Sequence, residues 1–240
     1  TTYAVCGSSF SRIIEPSAGA GAFSDILPIC ESYDIDPKRS YITKADYLKT
    51  VIPYKAGSLV IGNPPFGDRG ILMQQFCNKS FESSDVVAFI LPISQLNNTV
   101  SIYKFDLVHS EDLGVLEYSG TPVHCCFNIY RRPKTGLYNK KPNYRNTIMS
   151  LYENRQNQKC FVEGSYDFSI CTWGSAIGVE CKSGQYAKTV SIKIHDQQNL
   201  KYYKNLILTA DWCKLYPMTS TPNLVQWQIN KYVLDNKLMI

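Results

Sequence analysis

The sequence predicts an α/β fold: a mostly parallel sheet with an antiparallel closing hairpin, followed by a small C-terminal region. Three observations predict it. Short apolar runs alternate with helix-compatible stretches through the first 130 residues, polar or glycine-bearing turns follow the early runs directly, and the charge changes sign where the alternation stops. A chain of 240 residues suffices for one large α/β domain with a smaller appended piece. Its 44% hydrophobic content and mean hydropathy of -0.20 are those of a globular protein with a real core.

The strand-like runs are "RIIE" (12–15), "ICESYD" (29–34), "SLVIG" (58–62), "VVAFIL" (86–91), "GVLEYS" (114–119) and "CCFNIY" (125–130). Between them, "GAFSDILP" and "GILMQQFCNKSF" suit helices; in the second, Ile71, Leu72, Gln75, Phe76 and Lys79 form a rough stripe at helical spacing. Strands alternating with helices place helices on both faces of a parallel sheet, and ligands of such folds bind at the carboxyl ends of the strands. The last two runs are joined by a short link around Gly120 to Pro122, which predicts the hairpin at that edge.

Composition narrows the function classes. There is no run of about 18 apolar residues and no basic-then-apolar leader, so neither a membrane span nor a signal peptide is expected. The nine cysteines are odd in number and contain no Cys-x-x-Cys pair, so no zinc or other metal site and no disulfide framework is expected. A reducing intracellular setting, cytoplasm or nucleus or nucleoid, fits them better. His109, His124 and His195 share no ligand spacing.

Charge divides the chain. Residues 1–130 carry 9 Lys+Arg and 13 Asp+Glu, a net of -4, whereas residues 131–240 carry 16 and 7, a net of +9. The basic excess is densest in "RRPKTGLYNKKPNYR" (131–145), where Arg131, Arg132, Lys134, Lys140, Lys141 and Arg145 are interleaved with two tyrosines and no acid. Such a segment suits phosphate contacts with rings available for stacking, and it equally suits a solvated linker.

The polar residues fall at the predicted strand ends. After the first strand comes "EPSAGAGAF" (15–23), in which Gly19 and Gly21 allow close backbone approach to a ligand, while Ser24 stands where a dinucleotide fingerprint needs a third glycine. Glu15 would repel a pyrophosphate and suit a cationic ligand. Asp34 of "YDIDP" is placed to grip ribose hydroxyls, and Asp46 of "KADYL" to accept from an adenine amino group beside the ring of Tyr47. "NPPFG" (63–67) ends the apolar strand 58–62 with an amide, two prolines and a ring. Alone it is an ordinary loop opener; after three cofactor-type turns it suggests chemistry. An exocyclic adenine amine is a poor nucleophile because its lone pair is delocalised into the ring. The side-chain oxygen of Asn63 and the carbonyl of Pro64 would each take one amino hydrogen, Pro65 would stiffen the loop, and Phe66 would offer a stacking face to a base swung out of a helix.

"EPSAGAGAF", "YDIDP", "ADYL" and "NPPFG", in this order, resemble the motifs of S-adenosylmethionine-dependent adenine-N6 methyltransferases of the NPPF/Y type, as found in small bacterial and viral members. "FILPISQLN" (89–97) and "VHCCFNIYRR" (123–132) resemble that family's later core strands, and "DFSICTWGSAIG" and "TSTPNLVQWQINKYV" its C-terminal region. The resemblance implies a Rossmann-like class I methyltransferase core over residues 1–132 and a basic linker with a small substrate-recognition region over 133–240. It implies S-adenosyl-L-methionine as cofactor. Glu15, Gly19 and Gly21 would line its methionine end, Asp34 with Ile35 its ribose, Asp46 with Tyr47 its adenine, and Asn63 the point where cofactor and target meet. Thr2 would match a short upstream motif touching the cofactor carboxylate. The implied activity is methylation of adenine N6 in DNA; adenine in RNA, glutamine in protein, and a non-catalytic nucleic-acid-binding partner subunit are the alternatives. Ile93 stands where that family leads one to expect an arginine.

Overall fold

The computed structural model describes residues 1–7, 9–27, 29–118, 120–156, 164–218 and 221–238. Pro28, Ser119, Thr219 and Ser220, which begin or end stretches quoted above, lie outside the described residues. The chain forms two compact units, Thr1–Pro142 and Asn143–Ile240.

The first unit is built on strands β1 (Arg12–Glu15), β2 (Cys30–Asp34), β3 (Thr43–Lys44), β4 (Ser58–Gly62), β5 (Val86–Pro92), β6 (Asp106–Tyr118) and β7 (Thr121–Arg131). Their order in the sheet is β3-β2-β1-β4-β5-β7-β6. The first five pair in parallel, and β7 runs antiparallel to both β5 and β6. This is a Rossmann-like arrangement, closed at one edge by an antiparallel hairpin.

Alternation along the strands loads both faces. Ile14, Val60, Val87 and Phe89 face one core, Ile13, Leu59, Ile61 and Ala88 the other. A helix, α1 (Thr2–Cys6), the segment leading from it into β1 and the turns after β1 cover the second face through Val5, Phe10, Phe23 and Leu27. The first face is covered by α2 (Ile71–Ser83), which buries Met73, Phe76, Cys77, Ser80 and Phe81, spaced at three and four residues. Gly70 starts α2 at φ +73°, and Ser84 ends it in an extended conformation. Phe81 stacks on Phe105 with centroids 4.2 Å apart; cutting Phe81 to Ala would cost about 3–5 kcal/mol.

One expectation is corrected, and the expected closing hairpin is present with longer strands. Of "GAFSDILP", residues 21–27 form turns rather than a helix: Gly19 and Gly21 adopt φ of +53° and +90°, outside the right-handed region, and few residues are left to propagate a helix. The closing hairpin is longer than its apolar runs, with 13 residues in β6 and 11 in β7. Its first strand lies at the sheet edge and carries charged residues that hide its alternation.

Residues 133–142 pack on this unit. The N–H of Asn139 donates to the Lys104 carbonyl at 2.9 Å, and its side-chain amide donates to Asp106 at 2.8 Å.

The second unit holds an antiparallel sheet of order β10-β9-β11-β8, formed by β8 (Met149–Arg155), β9 (Phe168–Cys171), β10 (Glu180–Cys181) and β11 (Lys188–Ile194). Its core packs Phe168, Ile170, Val190 and Ile192 against Tyr203, Trp212, Ile229 and Val233. These last come from α3 (Leu200–Leu208), α4 (Trp212–Leu215) and α5 (Gln226–Asp235). No helix of the described residues is long and apolar enough to cross a membrane.

Candidate active site

A cavity of about 600 Å³ opens at the carboxyl ends of β1, β2, β3 and β4. Four loops line it: Pro16 and Ser17 after β1, Asp34 and Ile35 at the end of β2, residues 45–48 after β3, and residues 63–66 after β4. Tyr118 and Val123 of the β6–β7 hairpin and Leu72 and Phe76 of α2 complete it. Eight of the residues singled out in the sequence thus meet in one place: Asp34, Ile35, Asp46, Tyr47, Asn63, Pro64, Pro65 and Phe66.

The loop after β4 is held at both ends. At its start the Asn63 backbone carbonyl accepts from the Ser17 hydroxyl at 3.2 Å. At its end the Phe66 carbonyl accepts from the Met73 N–H at 3.3 Å. Gly67 is obligatory, since it sits at φ +67° and a Cβ there would lie 2.5 Å from that of Leu72. Within the loop, Asn63 Oδ1 is buried and has no hydrogen-bond partner among the described residues. A buried amide oxygen left unpaired costs about 1–3 kcal/mol, which a ligand donor would relieve. The Phe66 ring meets Tyr118 edge to face, with centroids 5.8 Å apart. Burial pushes the Tyr118 phenol up to about 12, with the Cys125 thiol adding to the rise and the Asn63 amide opposing it.

Asp34 is pinned by backbone. Gly19 donates its N–H to Oδ2 at 2.7 Å and Asp36 donates to Oδ1 at 2.8 Å, so the carboxylate orientation is fixed with lone pairs to spare. Asp46 accepts from the Leu48 N–H at 3.0 Å and pairs with Lys49 at 3.2 Å. Tyr47 is a core residue as much as a wall: it is 2% exposed, stacks on Phe76 at 5.6 Å and shares a hydrogen bond with Ser80.

Four expected cofactor residues do not line the cavity. Thr2 is buried in α1. Glu15, 1% exposed, accepts from the N–H groups of Phe23 and Ser24, at 3.4 and 2.9 Å, and so holds the turns after β1. Burial raises its carboxyl above the ordinary range, against the lowering by Ser24 and Phe23. Gly19 acts through Asp34, and Gly21 leaves room for the Tyr41 hydroxyl. Ile93, in place of the expected arginine, is fully buried in the core. Ser17, Leu72, Tyr118 and Val123 line the cavity without having been given a site role; Ser17 and Val123 lie within stretches quoted for the family resemblance.

The basic run divides in two. Arg131 donates to the Val5 carbonyl at 2.6 Å. Arg132 pairs with Asp85 at 2.9 Å, donates to the Phe81 and Ser84 carbonyls, and lies over the rings of Tyr54 and Phe105. Lys134, Lys140 and Lys141 in the first unit and Arg145 in the second are exposed. The run leaves the sheet at Arg131, which is paired with Val86 at the amino end of β5, whereas the cavity opens at the carboxyl ends.

No protein-family model matches the sequence, and no curated protein matches it. Among solved structures the chain is similar to a Thermoplasma acidophilum protein (20% identity, TM-score 0.39, covering 51% of this chain and 76% of that one). It is similar to a candidate RNA methyltransferase of Pyrococcus horikoshii (16%, 0.41, 55% and 79%). It is also similar to the 23S rRNA methyltransferase ErmE (16%, 0.38, 51% and 62%).

Proposed function

We propose that this chain transfers the methyl group of S-adenosyl-L-methionine to the N6 amine of adenine in DNA. The observation that carries this reading is the meeting of residues 63–66 with Asp34 and Asp46 in one cavity, with the Asn63 amide oxygen buried and unpaired among the described residues.

The residues fit the cofactor. The backbone-pinned Asp34 would accept from both ribose hydroxyls, and Asp46 from the adenine amino group. When bound, S-adenosyl-L-methionine supplies an electrophilic methyl on a sulfonium centre. The chain's own task is to present the amine. Asn63 Oδ1 and the Pro64 carbonyl accept its two hydrogens, which favours the form with a localised lone pair. Phe66 and Tyr118 give the extruded base aromatic faces, each stacked base being worth about 1–3 kcal/mol.

The basic half of the chain favours a polyanion over a protein substrate. Lys134, Lys140 and Lys141 would meet phosphates away from the target base, adding affinity without selecting sequence. Incubation with methyl-labelled cofactor and, separately, duplex DNA, single-stranded DNA, RNA and protein tests the proposal. Label recovered as N6-methyladenine from DNA supports it; label in glutamine, or in no acceptor, overturns it.

A further inference from the structure

The loop after β1 touches both halves of this site. Through its Gly19 N–H it donates to Asp34 Oδ2 at 2.7 Å, and through its Ser17 hydroxyl to the Asn63 carbonyl at 3.2 Å. Pro16 packs beside them: a Cβ on Gly62 would lie 3.3 Å from its ring. The Asn63 amide oxygen has no partner among the described residues and its side-chain amide meets Tyr118, so the Ser17 hydroxyl is what ties the Asn63 peptide to the loop after β1. Pro64 and Pro65 have no N–H to offer, and the next backbone anchor is the Phe66 carbonyl on α2.

We propose that Ser17 is a positioning residue that couples cofactor binding to target binding. A cofactor held by Asp34 stiffens residues 16–19; the Ser17 hydroxyl then sets the Asn63 carbonyl, and with it the amide that receives the target amine. Ser17 acts through Asn63, not on the reacting atoms. Coupling of this kind is reciprocal: each ligand tightens the other by the same factor. The inference rests on the methyltransferase reading.

The test titrates the full chain with S-adenosylhomocysteine, with an adenine-containing DNA duplex, and with each in the presence of the other. Wild type is compared with Ser17→Ala and Ser17→Thr. In wild type each ligand tightens the other about fivefold or more. In Ser17→Ala this factor falls to about one, whatever the change in either ligand's own affinity; Ser17→Thr, which keeps the hydroxyl, restores it. A merely structural serine would weaken both ligands together without changing the factor. An unchanged factor in Ser17→Ala, or a Ser17→Thr variant that behaves like Ser17→Ala, overturns the inference while leaving the methyltransferase reading intact. A wild type that binds no S-adenosylhomocysteine overturns both.

Discussion

The rings of Phe66 and Tyr118 meet edge to face at 5.8 Å although 52 residues separate them, one from the loop after β4 and one from the end of β6. Both line the cavity that holds Asn63. If they flank the target base, the aromatic face is what matters. Phe66→Trp should then retain more methyl transfer than Phe66→Ala, and Tyr118→Phe more than Tyr118→Ala. Each alanine variant should lose about 1–3 kcal/mol of target binding. Equal losses in Phe66→Trp and Phe66→Ala, measured as kcat/KM, would point to packing alone.

Asp34 is expected to serve the cofactor. Removing a charged acceptor of ribose hydroxyls should weaken S-adenosyl-L-methionine binding by about 1.5–3 kcal/mol in Asp34→Ala, read by calorimetry. Affinity equal to wild type would remove Asp34 from the site.

Arg132 belongs to the fold. Its pairing with Asp85, with both side chains mostly shielded, makes Arg132→Gln destabilising by about 2–4 kcal/mol in chemical denaturation. Replacing Lys140 and Lys141 by glutamine should instead leave stability alone and flatten the dependence of log affinity for DNA on log salt, by about 0.9 for each phosphate no longer neutralised. An unaltered slope would return residues 133–142 to the role of linker.

Glu15 gives a pH signature. Because burial raises its carboxyl, the folded chain holds that proton more tightly than the unfolded chain. The stability so gained is fully present below the unfolded value, about 4.3, and is lost as pH rises through the folded value. Glu15→Gln has no such proton. Wild type should therefore lose stability relative to the variant as pH is raised from about 4 to 7. A difference in melting temperature that stays constant across this range would contradict the assignment.

What the sequence makes legible follows from burial. Residues 58–62 are buried on both faces, so β4 appears as an unbroken apolar run. By contrast β6 is an edge strand whose polar positions mask its alternation, and β3 is only two residues long. Asp34 and residues 63–66 are visible because they sit beside strong strands, whereas Asp46 follows the two-residue β3. Tyr118 is not, because its place in the cavity depends on the register of the hairpin with its neighbours. Nor is the role of Arg132, whose partner Asp85 lies 47 residues away. A basic residue in a basic run looks available until its carboxylate is located.

The central claim is that Asn63 presents an adenine amine for methylation. Its most direct test is methyl transfer from labelled S-adenosyl-L-methionine to duplex DNA by wild type and Asn63→Ala, with cofactor affinity measured on both. The amide acts on the target, so wild type should yield N6-methyladenine, and the variant should yield none while binding the cofactor with nearly unchanged affinity. A variant that methylates adenine at the wild-type rate would contradict the account.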